Sequence, residues 1–152
     1  MDNKWRKTAP PDEYRGWRMG LEFPSCFDAD QIEVRWDGAV PHIVALLELT
    51  CFDGEGWPNE EYFKSILHDR RYQIAVVRKL AQGVRAYSYY VLFKKDMEWL
   101  WVHDLTAGDR RWEMMKLETY EKWLRADCKP WKTSNWDAYL NRLKSLHAVG
   151  ED

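Results

Sequence analysis

The 152-residue chain reads as an α/β (α+β) protein, a central mixed β-sheet flanked by helices. Three observations predict this. Two β-type runs flank an Asp37-Gly38 turn signal. A long helical pattern follows them. Two runs rich in aromatic and β-branched residues come next, ahead of further helical stretches.

Residues 1–27 are mixed. Pro10-Pro11 breaks the chain, and residues 12–18 read as a short helix or turn leading to Gly20. Basic and aromatic residues alternate here: Trp5, Arg6, Lys7, Tyr14, Arg15, Trp17 and Arg18. That mixture suits contact with a phosphate backbone, or equally an amphipathic arm packed on the sheet.

Residues 28–50 organise the chain. Asp30, Ile32, Val34 and Trp36 fall on one face of the first strand, and Gln31, Glu33 and Arg35 on the other. Glu33 and Arg35 are expected to be solvated or paired with each other. The second run, residues 43–47, is apolar on both faces, as in a central strand covered on both sides. It ends in the carboxylate of Glu48, then Leu49 and Thr50. A charge there is costly unless paired or bound to a cation. Asp30 starts one strand and Glu48 finishes its antiparallel neighbour, so the two acids lie side by side, a plausible seat for a hard divalent metal.

Asn59 is a good N-cap, with Glu60 and Glu61 in the first turn, where the helix dipole favours acids. The helical pattern runs to about Ala81 with Gly83 as its stop. The polar stretch 68–71 marks a break, so one helix or two fit the pattern. Residues 86–93 and 98–105 are strands joined by a turn at 94–96, and 107–109 form a loop. A short strand is expected over 111–115 and a helix over 117–126. Ser134 to Asp137 form a capping box opening a last helix to about Val149.

The length suits a single domain, 1–152, with a sizeable core. Hydrophobic residues at 45% and charged residues at 32% are ordinary for a soluble globular chain. The net charge of −2 excludes a global basic footprint, so any nucleic-acid contact must be local. Ten Trp and eight Tyr imply a large aromatic core, or stacking platforms for bases or sugars. Trp99 and Trp101 alternate along one strand face, which would be a large apolar patch if exposed. Cys26, Cys51 and Cys128 lack metal-ligand spacing, and an odd count implies free thiols in a reducing compartment. With no apolar signal core and no membrane-length run, the expected location is the cytoplasm. His42, His68, His103 and His147 show no zinc-like spacing. His103-Asp104 has no nucleophile beside it. Neither a Gly-rich phosphate loop nor a Gly-X-Ser-X-Gly elbow is present.

An Asp before a strand, Glu48-Leu49-Thr50 on the next, and Gln73 on the following helix together resemble the PD-(D/E)XK, restriction-endonuclease-like nuclease superfamily, especially its RecB-like branch. The resemblance covers about residues 28–105, leaving a helical part at about 111–149. It implies that Asp30 and Glu48 hold Mg²⁺ or Mn²⁺ and that Gln73 supports them. Asp28 and Asp30 remain alternatives for the first acid. The family has Lys where this chain has Thr50. Thr50 shares the Glu48 face and its hydroxyl can orient a water, but it cannot stabilise a developing phosphate charge as an ammonium does. Lys64, Arg70 or Arg71 would supply the cation instead.

The expected function is metal-dependent hydrolysis of phosphodiester bonds in DNA or RNA. Arg70 or Arg71 would contact phosphate, and Arg15 and Arg18 would guide the strand. The alternative is a degenerate, inactive nuclease-fold module that binds a protein or nucleic-acid partner. A third reading makes the acids purely structural. Near-neutral charge argues against tight non-specific duplex binding by a monomer. A homodimer or a larger complex would supply the missing positive surface.

Overall fold

The computed structural model describes residues 30–106, 112–131 and 133–150, without the side chains of 147–150. Arg15, Arg18, Cys26, Asp28, the 107–109 loop, Arg111 and the His147 side chain lie outside the described residues. Strands β1 (Gln31–Asp37) and β2 (Val40–Phe52) form a hairpin. Helices α1 (Glu60–Asp69) and α2 (Arg71–Val84) cross over to β3 (Tyr87–Lys94). Strands β4 (Trp99–Asp104) and β5 (Trp112–Lys116) follow, then α3 (Leu117–Arg125) and α4 (Trp136–Gly150). The sheet order is β1-β2-β3-β4-β5. Only β2 and β3 run parallel; the other neighbours are antiparallel. The fold class is therefore α+β with a five-stranded mixed sheet, and the helical crossover is what a parallel pair requires.

The hairpin turns on Gly38-Ala39, with Asp37 paired to Val40 as the last strand pair. Gly38 takes the positive φ of 59° that a tight hairpin loop needs and that a side chain would strain. A register shift between Glu33 and Val34 leaves Val44 of β2 as the extra residue of a bulge. β2 runs four residues beyond Glu48, so this acid lies within the strand and not at its end. Ala45, Leu46 and Leu47 are buried as a doubly covered strand requires, whereas Ile43 is exposed.

The α1–α2 pattern resolves into two helices. The Asn59 side chain accepts from the Tyr62 N–H at 2.9 Å and opens α1. Arg70 then takes φ −100° and ψ 15°, which redirects the chain, while its N–H still reaches the Ile66 carbonyl at 3.0 Å. The expected stop, Gly83, lies inside α2. The left-handed position falls instead on Arg85, at φ 57°. The Ala86 N–H returns to the Ala81 carbonyl at 2.8 Å and the Arg85 N–H to that of Gln82 at 3.3 Å, a Schellman closure. Ala81 and Ala86 are buried together with Leu46 and Val77, and this apolar contact sets where the helix ends.

One sheet face packs under α1, α2 and α4. Its core gathers Phe63, Tyr90, Trp101, Trp112, Trp136 and Tyr139 as interlocking rings, with Leu92 among them; Phe63 sits 4.8 Å from Trp112 and 4.9 Å from Trp136. The other face packs Leu47, Tyr89, Val91, Leu100 and Val102 against Tyr120 of α3 and Cys128. Trp101 is fully buried, so Trp99 and Trp101 do not form an exposed patch; Trp99 is half-buried against Trp57 and Lys116. His103 stacks on Trp112 in the core. Glu33 and Arg35 do pair, at 3.9 Å, but Arg35 also reaches Asp127 at 2.8 Å and the Leu124 carbonyl, tying the hairpin to the end of α3. The capping box is altered. Ser134 accepts the Trp136 N–H at 3.2 Å, while Asn135 exchanges two hydrogen bonds with Met114 of β5.

Candidate functional site

The β1–β2 register pairs Gln31 with Leu47, and its next step sets Asp30 beside Glu48. The Leu49 N–H donates to Asp30 Oδ2 at 2.9 Å and fixes the first carboxylate against β2. Two residues apart, Glu48 and Thr50 share the face covered by the crossover helices. Glu48 lies opposite Tyr90 of β3 and Thr50 opposite Leu92. The bulge at Val44 lies four residues or more before these positions, so their alternation is regular.

Glu48 is 6% exposed, and its Oε1 has no hydrogen-bond partner among the described residues. Its carboxyl is pushed up to about 7, first by burial, then by the charge of Asp30 and a side-chain hydrogen bond with it. Arg70 and the Asp30 backbone pull it back down. A buried carboxylate beside a second acid holds a proton or a cation near neutral pH.

Of the three candidate cations, Arg70 acts on the site. Its charge bears on Glu48, Tyr62 and Tyr90 together, lowering the pKa of each. The break between α1 and α2 places it there. Lys64 pairs with Glu60 at 3.6 Å, and Arg71 turns back to the His68 carbonyl at 2.9 Å and over the Tyr72 ring. Thr50 Oγ1 lies 2.5 Å from the Tyr90 phenol oxygen. Burial pushes the Tyr90 phenol up, while the Thr50 hydrogen bond and Arg70 pull it back.

Asp30, Glu48, Thr50 and Arg70 are thus gathered. Gln73 sits half-buried in the first turn of α2 and makes no hydrogen bond to either acid among the described residues. Tyr90 and Tyr62 were not singled out in the sequence. Tyr90 reads there as an ordinary strand aromatic, and only the parallel β2–β3 register brings it to Glu48.

Chemically, the site offers two carboxylates, one of them desolvated, a guanidinium, and a hydroxyl–phenol pair. Among the described residues no group of three or more His, Cys, Asp and Glu side chains is placed to hold a metal. Two carboxylates nevertheless match Mg²⁺, which usually keeps several waters and takes one or two protein acids. No helix among the described residues is long and apolar enough to cross a membrane. Comparisons with protein-family models, with curated proteins and with solved structures each give no match.

Proposed function

We propose that this chain is a restriction-endonuclease-like, PD-(D/E)XK-type hydrolase that cuts phosphodiester bonds in DNA or RNA with Mg²⁺ or Mn²⁺. The observation that carries the reading is Glu48, buried with an unpartnered oxygen beside Asp30. A structural carboxylate would be paired; this one is left ready for a cation.

Asp30 and Glu48 would hold the ion. When bound, it supplies an activated water and charge stabilisation at the phosphate. Arg70 replaces the lysine that Thr50 displaces, since its charge already reaches the Glu48 pocket and suits the developing negative charge of phosphoryl transfer. The Thr50 hydroxyl, held by Tyr90, orients a water or a phosphate oxygen.

The test is calorimetric titration of Mn²⁺ into the wild type and the Asp30→Ala, Glu48→Ala double mutant, followed by cleavage assays on single- and double-stranded DNA and RNA. Binding and cleavage that vanish together in the double mutant support the reading. Wild type that binds no Mn²⁺ and cuts nothing refutes it.

A further inference from the structure

On the side of α2 away from Glu48 lies a cleft of about 1010 Å³ between the crossover helices and β4–β5. Lys64, His68, Arg71 and Arg78 line its helical wall, and His103 and Trp112 lie in its floor. Arg71 and Arg78 are seven residues apart on α2, on one flank and about 10 Å apart along the axis. Gln73 and Leu80 fall on the opposite flank. The α1–α2 junction therefore sends Arg70 to the acid pair and Arg71 to the cleft.

The cleft floor continues the row of the acid site. Glu48 pairs with Tyr90, Tyr90 with His103, and His103 with Trp112, all across one sheet face. Among the described residues the acids on the cleft wall are Glu60, in a solvent-exposed pair with Lys64, and Asp104, which accepts the Thr106 N–H at 2.8 Å. Arg78 has no ion-pair partner among the described residues. Exposed pairs exchange readily, so these cations are available to an anion.

We infer that this cleft binds the phosphate backbone of a single nucleic-acid strand, alongside the bond presented to Asp30 and Glu48. This rests on the hydrolase reading for its placement, but the binding itself does not require it. A volume at the upper end of small-ligand sites accommodates a few nucleotides, whereas a duplex, whose major groove alone is about 12 Å wide, does not enter. The overall charge of −2 fits local capture of a strand better than general duplex affinity.

The experiment measures fluorescence anisotropy of labelled twelve-nucleotide single strands and duplexes in EDTA, which separates binding from cleavage. The proteins are wild type, Arg78→Glu, Arg78→Ala, Arg71→Glu, the acid double mutant, and Lys79→Glu as a control on the exposed face of α2. Single strands should bind at least tenfold tighter than duplex. The cleft variants should lose at least tenfold and show a shallower salt slope, with Lys79→Glu unchanged and the acid double mutant, freed of two negative charges beside the strand, binding no more weakly than wild type. Cleft variants that bind like wild type, or duplex bound as well as single strand, overturn the inference. If the wild type takes up no Mn²⁺ yet the cleft variants lose binding, the hydrolase reading fails and the cleft stands. If Mn²⁺ binds and the cleft variants change nothing, the reverse holds.

Discussion

The Thr50 hydroxyl and the Tyr90 phenol meet at 2.5 Å, joining parallel neighbours β2 and β3 beside the Glu48 carboxyl. This pair occupies the place where the resemblance calls for a lysine. Tyr90 is fully buried, so its phenol would lose this partner if Thr50 lost its hydroxyl. Thr50→Val should cost about 1–2 kcal/mol in urea unfolding at constant m-value. A double-mutant cycle with Tyr90→Phe should return a coupling of about 1 kcal/mol. Additive effects would show that the two groups do not cooperate.

Glu48 ties stability to pH. Below about 4.5 its carboxyl is protonated in both folded and unfolded chains. As pH rises from there to about 7, the unfolded chain loses the proton first, so the metal-free fold loses stability. Above about 7 the loss is complete, at roughly 3 kcal/mol from this group. Glu48→Gln should be equal to wild type near pH 4, more stable near pH 8 in EDTA, and unable to bind Mn²⁺. Unfolding curves at several pH values check the first two points and calorimetry the third. In the wild type, Mn²⁺ affinity should climb as pH passes about 7, because the ion displaces the proton.

Arg70 lowers the pKa of Glu48 from the helix junction. Arg70→Gln should therefore raise the carboxyl pKa above its present value, seen by carbon-detected NMR titration, and Arg70→Lys should restore much of the shift. If the chain hydrolyses phosphodiesters, Arg70→Gln should lower kcat by about 10²–10³ with a smaller change in KM, as for loss of a transition-state donor.

Arg85 ends α2 in the left-handed region without being glycine. That conformation costs an L-residue about 1 kcal/mol, partly offset because glycine is freer in the unfolded chain. Arg85→Gly should raise the unfolding free energy from urea titration by about 0.5–1 kcal/mol, seen as a higher midpoint at unchanged m-value. A loss of stability instead would mean that the arginine side chain contributes more than its backbone conformation costs.

Much of this was legible locally. The Gly38 turn and the Asn59 cap each depend on a few adjacent residues, and the structure carries both; the alternation of β1 misleads about its buried side, since Ile32 and Trp36 are exposed while Glu33 and Arg35 are half-buried. The neighbourhood of Asp30 and Glu48 was legible because the two ends of a hairpin lie side by side, but the exact pairing was not: the turn alone would set Asp30 against Leu47, and the bulge at Val44 moves it to Glu48. The full length of β2 was not legible, because Glu48 and Thr50 interrupt the apolar run that marks a strand, and their burial comes from the crossover helices α1 and α2, which follow in the chain from Glu60 on. The end of α2 was misplaced because an apolar contact, Ala81 with Ala86, outweighed the glycine at 83. Tyr90 was invisible because its relation to Glu48 exists only across the parallel β2–β3 pair. The same holds for Trp101, whose alternation with Trp99 suggests a surface until α1 and α4 cover it.

The single parallel pairing also orders events in time. β1 and β2 can zip from their own turn within microseconds, bringing Asp30 to Glu48 while both are still hydrated. Tyr90 and Arg70 arrive only when the chain closes the long loop between β2 and β3, a slower, high-contact-order step. The carboxyl of Glu48 thus passes from water into the interior late in folding. Its protonation should weigh mainly on how fast the finished protein comes apart, and much less on how fast it assembles.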